Sequence, residues 1–272
     1  MAARVAARVA AQVAARCLPR YVGPEVSVPG RKMTQEEIKA RFDAETAAAY
    51  SQRKLAWCPG YEQGMGLVLD ALKLYLPPSA LVLDLGAGTG NLSRRVLQAF
   101  QDCHVTLVDF SRNMLAEVPQ VLAGFEGRYE TRQQDLWSAR FPDATYDAVV
   151  ASFALHHGRG EAVYRQLYQE IFKWLRAPGI FVCYDVIDGD TRSVSDLNEA
   201  GWRQFLQSEK FAPADIERIF ANYYREDSPL SLRQHLALLT GAGFGVADVL
   251  WKQFNFGVYV GIKQVGCPDQ TA

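Results

Sequence analysis

Short apolar runs alternate with stretches of helical spacing through the middle of this chain. The runs Leu81–Leu85, Val105–Val108, Tyr129–Arg132, Ala148–Ser152 and Ile180–Tyr184 are rich in branched and aliphatic side chains and read as strands. Between them, Leu92–Phe100, Asn113–Val118 and Glu161–Leu175 read as helices. In the last of these, Val163, Leu167, Ile171 and Trp174 share one stripe, which predicts core contact. Alternation of this kind predicts a parallel sheet with helices on both faces.

Both flanks of that block differ from it. Upstream, Thr34 and Glu37 form a capping box that opens a helix from Gln35 to about Tyr50. A second helix follows Pro59-Gly60, with Leu67, Leu69 and Leu72 on its apolar face, and ends at Pro77-Pro78. Downstream, residues 187–228 carry many charges and scattered aromatics and predict a helical lid. Ser228-Pro229 then opens a last helix with Leu232, Leu236 and Leu239 on one face and Gly241 just past its end. Strands Val246–Trp251 and Asn255–Ile262 have only Lys252, Gln253 and Phe254 between them, so they predict an antiparallel edge pair. The expected class is α/β: a Rossmann-like, doubly wound, seven-stranded, mostly parallel sheet with that edge pair and the lid.

Residues 1–32 stand apart as an N-terminal extension, leaving 33–272 as the main domain. The near-repeat AARV-AARV-AAQV-AARC places Arg4, Arg8 and Arg16 at helical spacing, and Glu25 is the one acid before Lys32. An arginine-rich, acid-poor start resembles an organelle-targeting presequence, mitochondrial for example. The other reading is a solvated helical extension of a cytoplasmic protein. Gly23, Pro24, Pro29 and Gly30 mark Tyr21–Arg31 as a linker.

Bulk properties exclude several classes. At 272 residues the chain buries a full core without staples. Its five cysteines are odd in number, scattered and without C-x-x-C, which argues against a disulfide framework and for a reducing compartment. His156 and His157 are adjacent, but no acid or cysteine stands at ligand spacing, so no metal is expected. No run is long enough for a membrane span. A formal charge of −1 argues against a surface that grips nucleic acid along its whole extent, though a local basic patch is compatible with it.

The candidate chemistry lies where the first strand meets a glycine-rich turn, Asp84-Leu85-Gly86-Ala87-Gly88-Thr89-Gly90. Glycines there accept positive φ and let a ligand touch backbone. Asp109, at the end of the second strand, follows Gly86 at close to the ~20-residue spacing at which an acid reaches ribose hydroxyls. Asn91 stands where a dinucleotide fingerprint needs a small residue. The pattern G-x-G-x-G therefore suits a nucleoside ligand without phosphate, such as S-adenosylmethionine.

These motifs resemble those of the class I S-adenosylmethionine-dependent methyltransferases, from about Arg41 to Lys263. The resemblance covers the glycine turn, Asp109-Phe110, Asp135-Leu136, the stretch Tyr146–Ser152 with Phe153–His157, and, in part, Leu175–Gly179. It implies a cofactor set of Arg53, Tyr61, Asp84, Gly86, Ala87, Gly88, Asp109, Phe110, Asp135, Leu136 and Ser152. In that set Asp109 holds the ribose, Asp135 the adenine amino group with Leu136 on the ring, and Tyr61 and Arg53 the carboxylate; the other readings are a half-buried aromatic for Tyr61 and a surface arginine for Arg53. His157 and His156, beyond the fourth strand, are the candidate catalytic bases for an oxygen or nitrogen acceptor; their other reading is to shape the loop. Trp202, Tyr223 and Tyr224 are either acceptor-pocket lining or lid packing.

Gln52-Arg53, Pro59-Gly60-Tyr61, Trp251 and Phe254-Asn255-Phe256-Gly257 are locally similar to carboxy-S-adenosylmethionine synthases of the tRNA wobble-uridine pathway. Those enzymes use prephenate as carboxyl source and a lid arginine against the added carboxylate. Counted back from Asp227-Ser228, that position falls on Glu217, with Arg218 and Arg225 as neighbours. The expected function is methyl transfer to a small-molecule acceptor. The alternatives are the carboxyl-transferring enzyme and a non-catalytic binding protein, against which the intact glycine turn and Asp109 speak.

Overall fold

A computed structural model describes residues 31–44 and 56–266. Thr34 and Glu37 exchange the two bonds of the expected capping box, with Glu37 Oε2 2.8 Å from the Thr34 amide and Thr34 Oγ1 3.2 Å from the Glu37 amide. Helix α1, Gln35–Ala44, starts there. The remainder of the helix expected to reach Tyr50, the site candidate Arg53, and the N-terminal extension up to Gly30 lie outside the described residues.

From Lys32 onward the described residues belong to one compact unit. Helix α2 (Tyr61–Tyr75) precedes strand β1 (Leu81–Leu85). Then come α3 (Asn91–Ala99), β2 (His104–Asp109), α4 (Arg112–Ala116), α5 (Val118–Val121), β3 (Tyr129–Gln133) and β4 (Tyr146–Ser152). A 3-10 turn over Leu155–His157 leads to α6 (Glu161–Trp174) and β5 (Leu175–Val186). The lid resolves into α7 (Arg192–Ser208) and α8 (Pro213–Glu226), followed by α9 (Leu232–Gly241), β6 (Val246–Gln253) and β7 (Phe256–Lys263).

Among the described residues the sheet has seven strands in the order β3-β2-β1-β4-β5-β7-β6. β3 through β5 are parallel, and β7 pairs antiparallel with both β5 and β6. The chain winds outward from β1 to β3, then returns to place β4 on the other side of β1. That reversal is the switch point at which open α/β sheets bind ligands, beyond the carboxyl ends of the strands.

Alternation along the strands divides the core between two faces. Val82, Val105, Val150, Val182 and Val260 bury one way with α2, α3 and the lid residues Trp202, Leu206 and Phe220. Leu83, Val108, Val149, Phe181 and Tyr259 bury the other way with α6 and α9. α6 presents Tyr164, Leu167, Tyr168, Ile171 and Trp174 to that second face, with Val163 half-buried at its margin.

Several boundaries differ from the sequence expectation for physical reasons. The cap of α9 is Ser231, which takes the Gln234 amide while Gln234 returns a bond to the Ser231 amide, so Ser228-Pro229 lies ahead of the helix. In α2 the buried stripe is Tyr61, Met65, Val68 and Leu72, a continuous i, i+4, i+7, i+11 face; Leu67 and Leu69 sit at its edges. The helix expected over Asn113–Val118 splits at Glu117, where Pro119 starts a new turn.

His235 on α9 gives a measurable consequence. Its ring is 2% exposed, its Nδ1 lies 2.6 Å from the Tyr168 hydroxyl, and it stacks on Tyr259. Burial depresses its pKa to about 4. The unfolded chain therefore binds a proton near pH 6.5 that the folded chain refuses until about pH 4. Stability falls as pH drops through that window, by on the order of 3 kcal/mol from this group. His235→Phe is expected to flatten that part of the denaturation free energy against pH; an unaltered slope would contradict the assignment.

Candidate functional site

A cleft of about 460 Å³, its open mouth included, lies at the switch point between β1 and β4. Gly86, Gly88, Asp109, Phe110, Met114, Gln134, Leu136, Phe153, Ala154 and His157 line it. Five of the sequence-named cofactor candidates are thus brought together: Gly86, Gly88, Asp109, Phe110 and Leu136.

The glycine turn follows from strand geometry. As β1 ends, the Gly86 and Ala87 amides donate to the Val108 carbonyl, at 2.8 and 3.0 Å, which bends the chain back over β2. Gly86 has φ +68°, and a Cβ there would come within 2.3 Å of the Ala154 Cβ. Asp109 sits across the turn. Its Oδ2 accepts from the Gly88 amide and its Oδ1 from the Ser111 amide, each at 2.8 Å. The carboxylate is 7% exposed.

The other named residues stand around this cradle. Asp84, fully buried in β1, accepts from Ser93 Oγ on α3 at 2.7 Å and ties the helix start to the strand. Ala87 contributes through its backbone bond. Ser152 closes β4 one residue before Phe153 and does not line the cleft. Tyr61 lies a ring away, stacked on Phe153 at 5.8 Å, and burial raises its hydroxyl to about 12. Asp135 is engaged outside the cleft, bound to Lys39 Nζ at 2.7 Å and to the Trp137 amide at 3.1 Å. Gln134 and Leu136 form the wall at that point.

Phe153 has φ +53°, costly for a bulky residue. Its amide bonds the Tyr184 carbonyl at 2.9 Å, and its ring meets Tyr184 edge-on at 4.6 Å. The sharp exit from β4 drives Ala154 against Gly86. Trp202, offered as acceptor-pocket lining, is 5% exposed and packs on Phe220 and Phe256. Tyr223 and Tyr224 meet each other, Phe220, Asn255 and Glu199. All three build the lid and none lines the cleft.

The two histidines differ. His157 reaches the cleft wall. His156 is buried behind it, its Nδ1 2.5 Å from Asp185 Oδ1. Asp185, 1% exposed, also accepts from the amides of Leu155, His156 and Val186. Burial raises its carboxyl, but the His156 imidazole and these amides outweigh that and hold it below the usual carboxylate range. Burial, with His156 alongside, lowers the His157 imidazole against the pull of Asp227. Asp227, after α8, approaches His157 Nδ1 at 3.2 Å and His156 Nε2 at 3.7 Å. The expectation that the histidines lack an acidic companion is corrected here, because Asp185 and Asp227 both reach them through the fold. Distance along the chain concealed them.

Comparison with known proteins agrees with this architecture. Residues 82–179 match the protein family described as "Methyltransferase domain". A carboxy-S-adenosyl-L-methionine synthase of Aeromonas hydrophila is 27% identical over 82% of this chain and 90% of its own length. The enzyme of the same name from Campylobacter lari is 21% identical over 84% of this chain and 96% of its own. Among solved structures, human N-acetylserotonin methyltransferase in complex with SAM superposes with TM-score 0.57 at 16% identity, covering 87% of this chain and 64% of the human one.

Proposed function

We propose that this chain, whose residues 82–179 match the family described as "Methyltransferase domain", is an S-adenosylmethionine-dependent methyltransferase that transfers the sulfonium methyl group to a small-molecule acceptor at the His157 end of the cleft. The observation that carries the reading is the union of a positive-φ glycine cradle with a buried carboxylate at the sheet's switch point. Gly86 and Gly88 give the nucleoside bare backbone, Asp109 accepts from the ribose hydroxyls, and Leu136 and Phe110 supply apolar cover for the adenine. Helix α1 closes the mouth: Gln35 Nε2 donates to the His157 carbonyl at 2.6 Å, and Lys39 pairs with Asp135.

The sulfonium is already activated, so the acceptor's lone pair takes the methyl carbon while the carbon–sulfur electrons stay on sulfur. The protein's own share is alignment and exclusion of water. Phe153 and Ala154 fix the floor of the cleft. His157 stands where an oxygen or nitrogen acceptor sheds its proton, and Asp185 holds His156 behind it.

A second reading, a carboxyl-transferring enzyme like the relatives' namesake, is favoured by those relatives. It needs a lid cation against the added carboxylate. In this chain Glu217 pairs with Arg203 at 2.7 Å. Arg218 pairs with Asp215 and is 67% exposed. Arg225 bonds Asn222 and Glu226. None of the three lines the cleft.

Methyl-labelled S-adenosylmethionine incubated with the protein and a small-molecule cell filtrate is expected to label a filtrate component and leave S-adenosylhomocysteine. Incubation with prephenate in place of the filtrate is expected to leave the sulfonium's mass unaltered. A sulfonium heavier by carbon dioxide would overturn methyl transfer in favour of the second reading.

A further inference from the structure

We propose that His156, His157 and Asp227 form a binding site for a first-row divalent cation at the wall of the cleft. It deepens the reading of that site as the acceptor end and rests on it. The donor atoms, two imidazole nitrogens and a carboxylate oxygen, all lie within 4.8 Å of one another. Donors bound to one cation at about 2.1 Å stand roughly 3–3.5 Å apart. The approaches of 3.2 Å from His157 Nδ1 to Asp227 Oδ1 and 3.7 Å from His156 Nε2 therefore need only small side-chain adjustment.

The surroundings are those of a built site. Asp185 holds Nδ1 of His156 at 2.5 Å, which keeps the proton on that nitrogen and turns the Nε2 lone pair toward Asp227. A carboxylate behind a ligating imidazole is the usual device for fixing ring orientation and raising ligand basicity. The two ligand segments are tied together, since the Ser228 amide donates to the His156 carbonyl at 2.8 Å. Lys32 bonds the Asp227 carbonyl at 2.5 Å, and Arg159 bonds the Glu226 carbonyl at 2.7 Å, so cations from elsewhere in the fold clamp the main chain on either side of the carboxylate.

Two imidazoles and one carboxylate on one side of an ion leave coordination positions open, and this donor set suits iron(II), manganese, cobalt or zinc. His157 belongs to the cleft wall, so an acceptor oxygen can occupy one of those positions. The class of acceptor this favours is a hydroxylated small molecule. A bound ion would take His157 as a ligand and would supply Lewis acidity to the acceptor hydroxyl, which would then release its proton to solvent without His157 as base.

The test is a titration of the full chain, untagged and stripped with chelator, with Co²⁺. The expected result is one ion per chain with visible ligand-field bands and a raised thermal midpoint. Asp227→Asn and His156→Asn are each expected to weaken binding by about tenfold or more, and Asp185→Asn by about ten- to a hundredfold as a positioning residue. His104→Ala, at an exposed position on β2, should leave binding as in the parent. S-adenosylhomocysteine binding, measured in the same samples, reports folding and keeps the methyltransferase reading separate. Absence of both bands and midpoint shift at high micromolar Co²⁺ in the parent chain overturns the proposal. So does binding that Asp227→Asn and His156→Asn leave unaltered.

Discussion

Asp109→Ala is expected to weaken S-adenosylhomocysteine binding by at least about tenfold in calorimetric titration. Each hydrogen bond from a ribose hydroxyl to a buried carboxylate contributes roughly 1.5–3 kcal/mol, and 1.4 kcal/mol is a factor of about ten. The same carboxylate also accepts the Gly88 and Ser111 amides. Its removal therefore loosens the turn as well as the ligand contact, and some loss of unfolding free energy accompanies the loss of affinity. Asp109→Asn retains one acceptor oxygen and is expected to fall between the two. An unaltered affinity in Asp109→Ala would mean that the ribose lies elsewhere.

Gly86→Ala is expected to be the most disruptive single methyl group in the cleft. A non-glycine residue at φ +68° costs about 1–2 kcal/mol. The added Cβ would also stand 2.3 Å from the Ala154 Cβ, which has no flexible end to swing away. Forcing the two segments apart costs roughly another 1–3 kcal/mol and spreads the walls that hold the nucleoside. Chemical denaturation should register both contributions together. The double variant Gly86→Ala with Ala154→Gly removes the contact and leaves the backbone strain, so it should recover only part of the loss. Full recovery would show that the positive φ contributes little to the loss.

What the sequence revealed, and what it concealed, follows from how local each signal is. The glycine turn, Asp84 and Asp109 were legible because strand, turn and acid recur within one β-α-β unit, where spacing along the chain is nearly spacing in space. The antiparallel pair was legible because a short link leaves two strands no other arrangement. Phe153 was not, since nothing in its side chain announces positive φ; the strain is imposed by the bond to Tyr184 and by contact with the glycine loop. Gln134 entered the wall, and Asp135 left it for Lys39, because α1 folds over that strand end from far upstream. Asp227 was concealed for the same reason. A helix, a strand and the two lid helices separate it from the histidines in sequence, and the packing of the lid end against the 3-10 turn brings them together.

The lid aromatics teach a related point. Trp202 has the residue type of a substrate platform, yet its indole nitrogen is bound to the Trp57 carbonyl at 2.8 Å and its ring is enclosed by Phe220, Tyr223 and Phe256. A helix pair with a mixed surface needs such a ring to anchor it to the sheet, and composition alone does not separate anchor from platform.

The proposed function places adenosine in the cleft at the switch point between β1 and β4, over Gly86 and against Asp109 at the end of β2. A crystal structure of the protein with S-adenosylhomocysteine tests it most directly. Both ribose hydroxyls are expected within hydrogen-bond reach of the Asp109 carboxylate, with the adenine ring against Leu136. Ligand bound away from this crevice, or ribose facing a side chain other than Asp109, would exclude that placement.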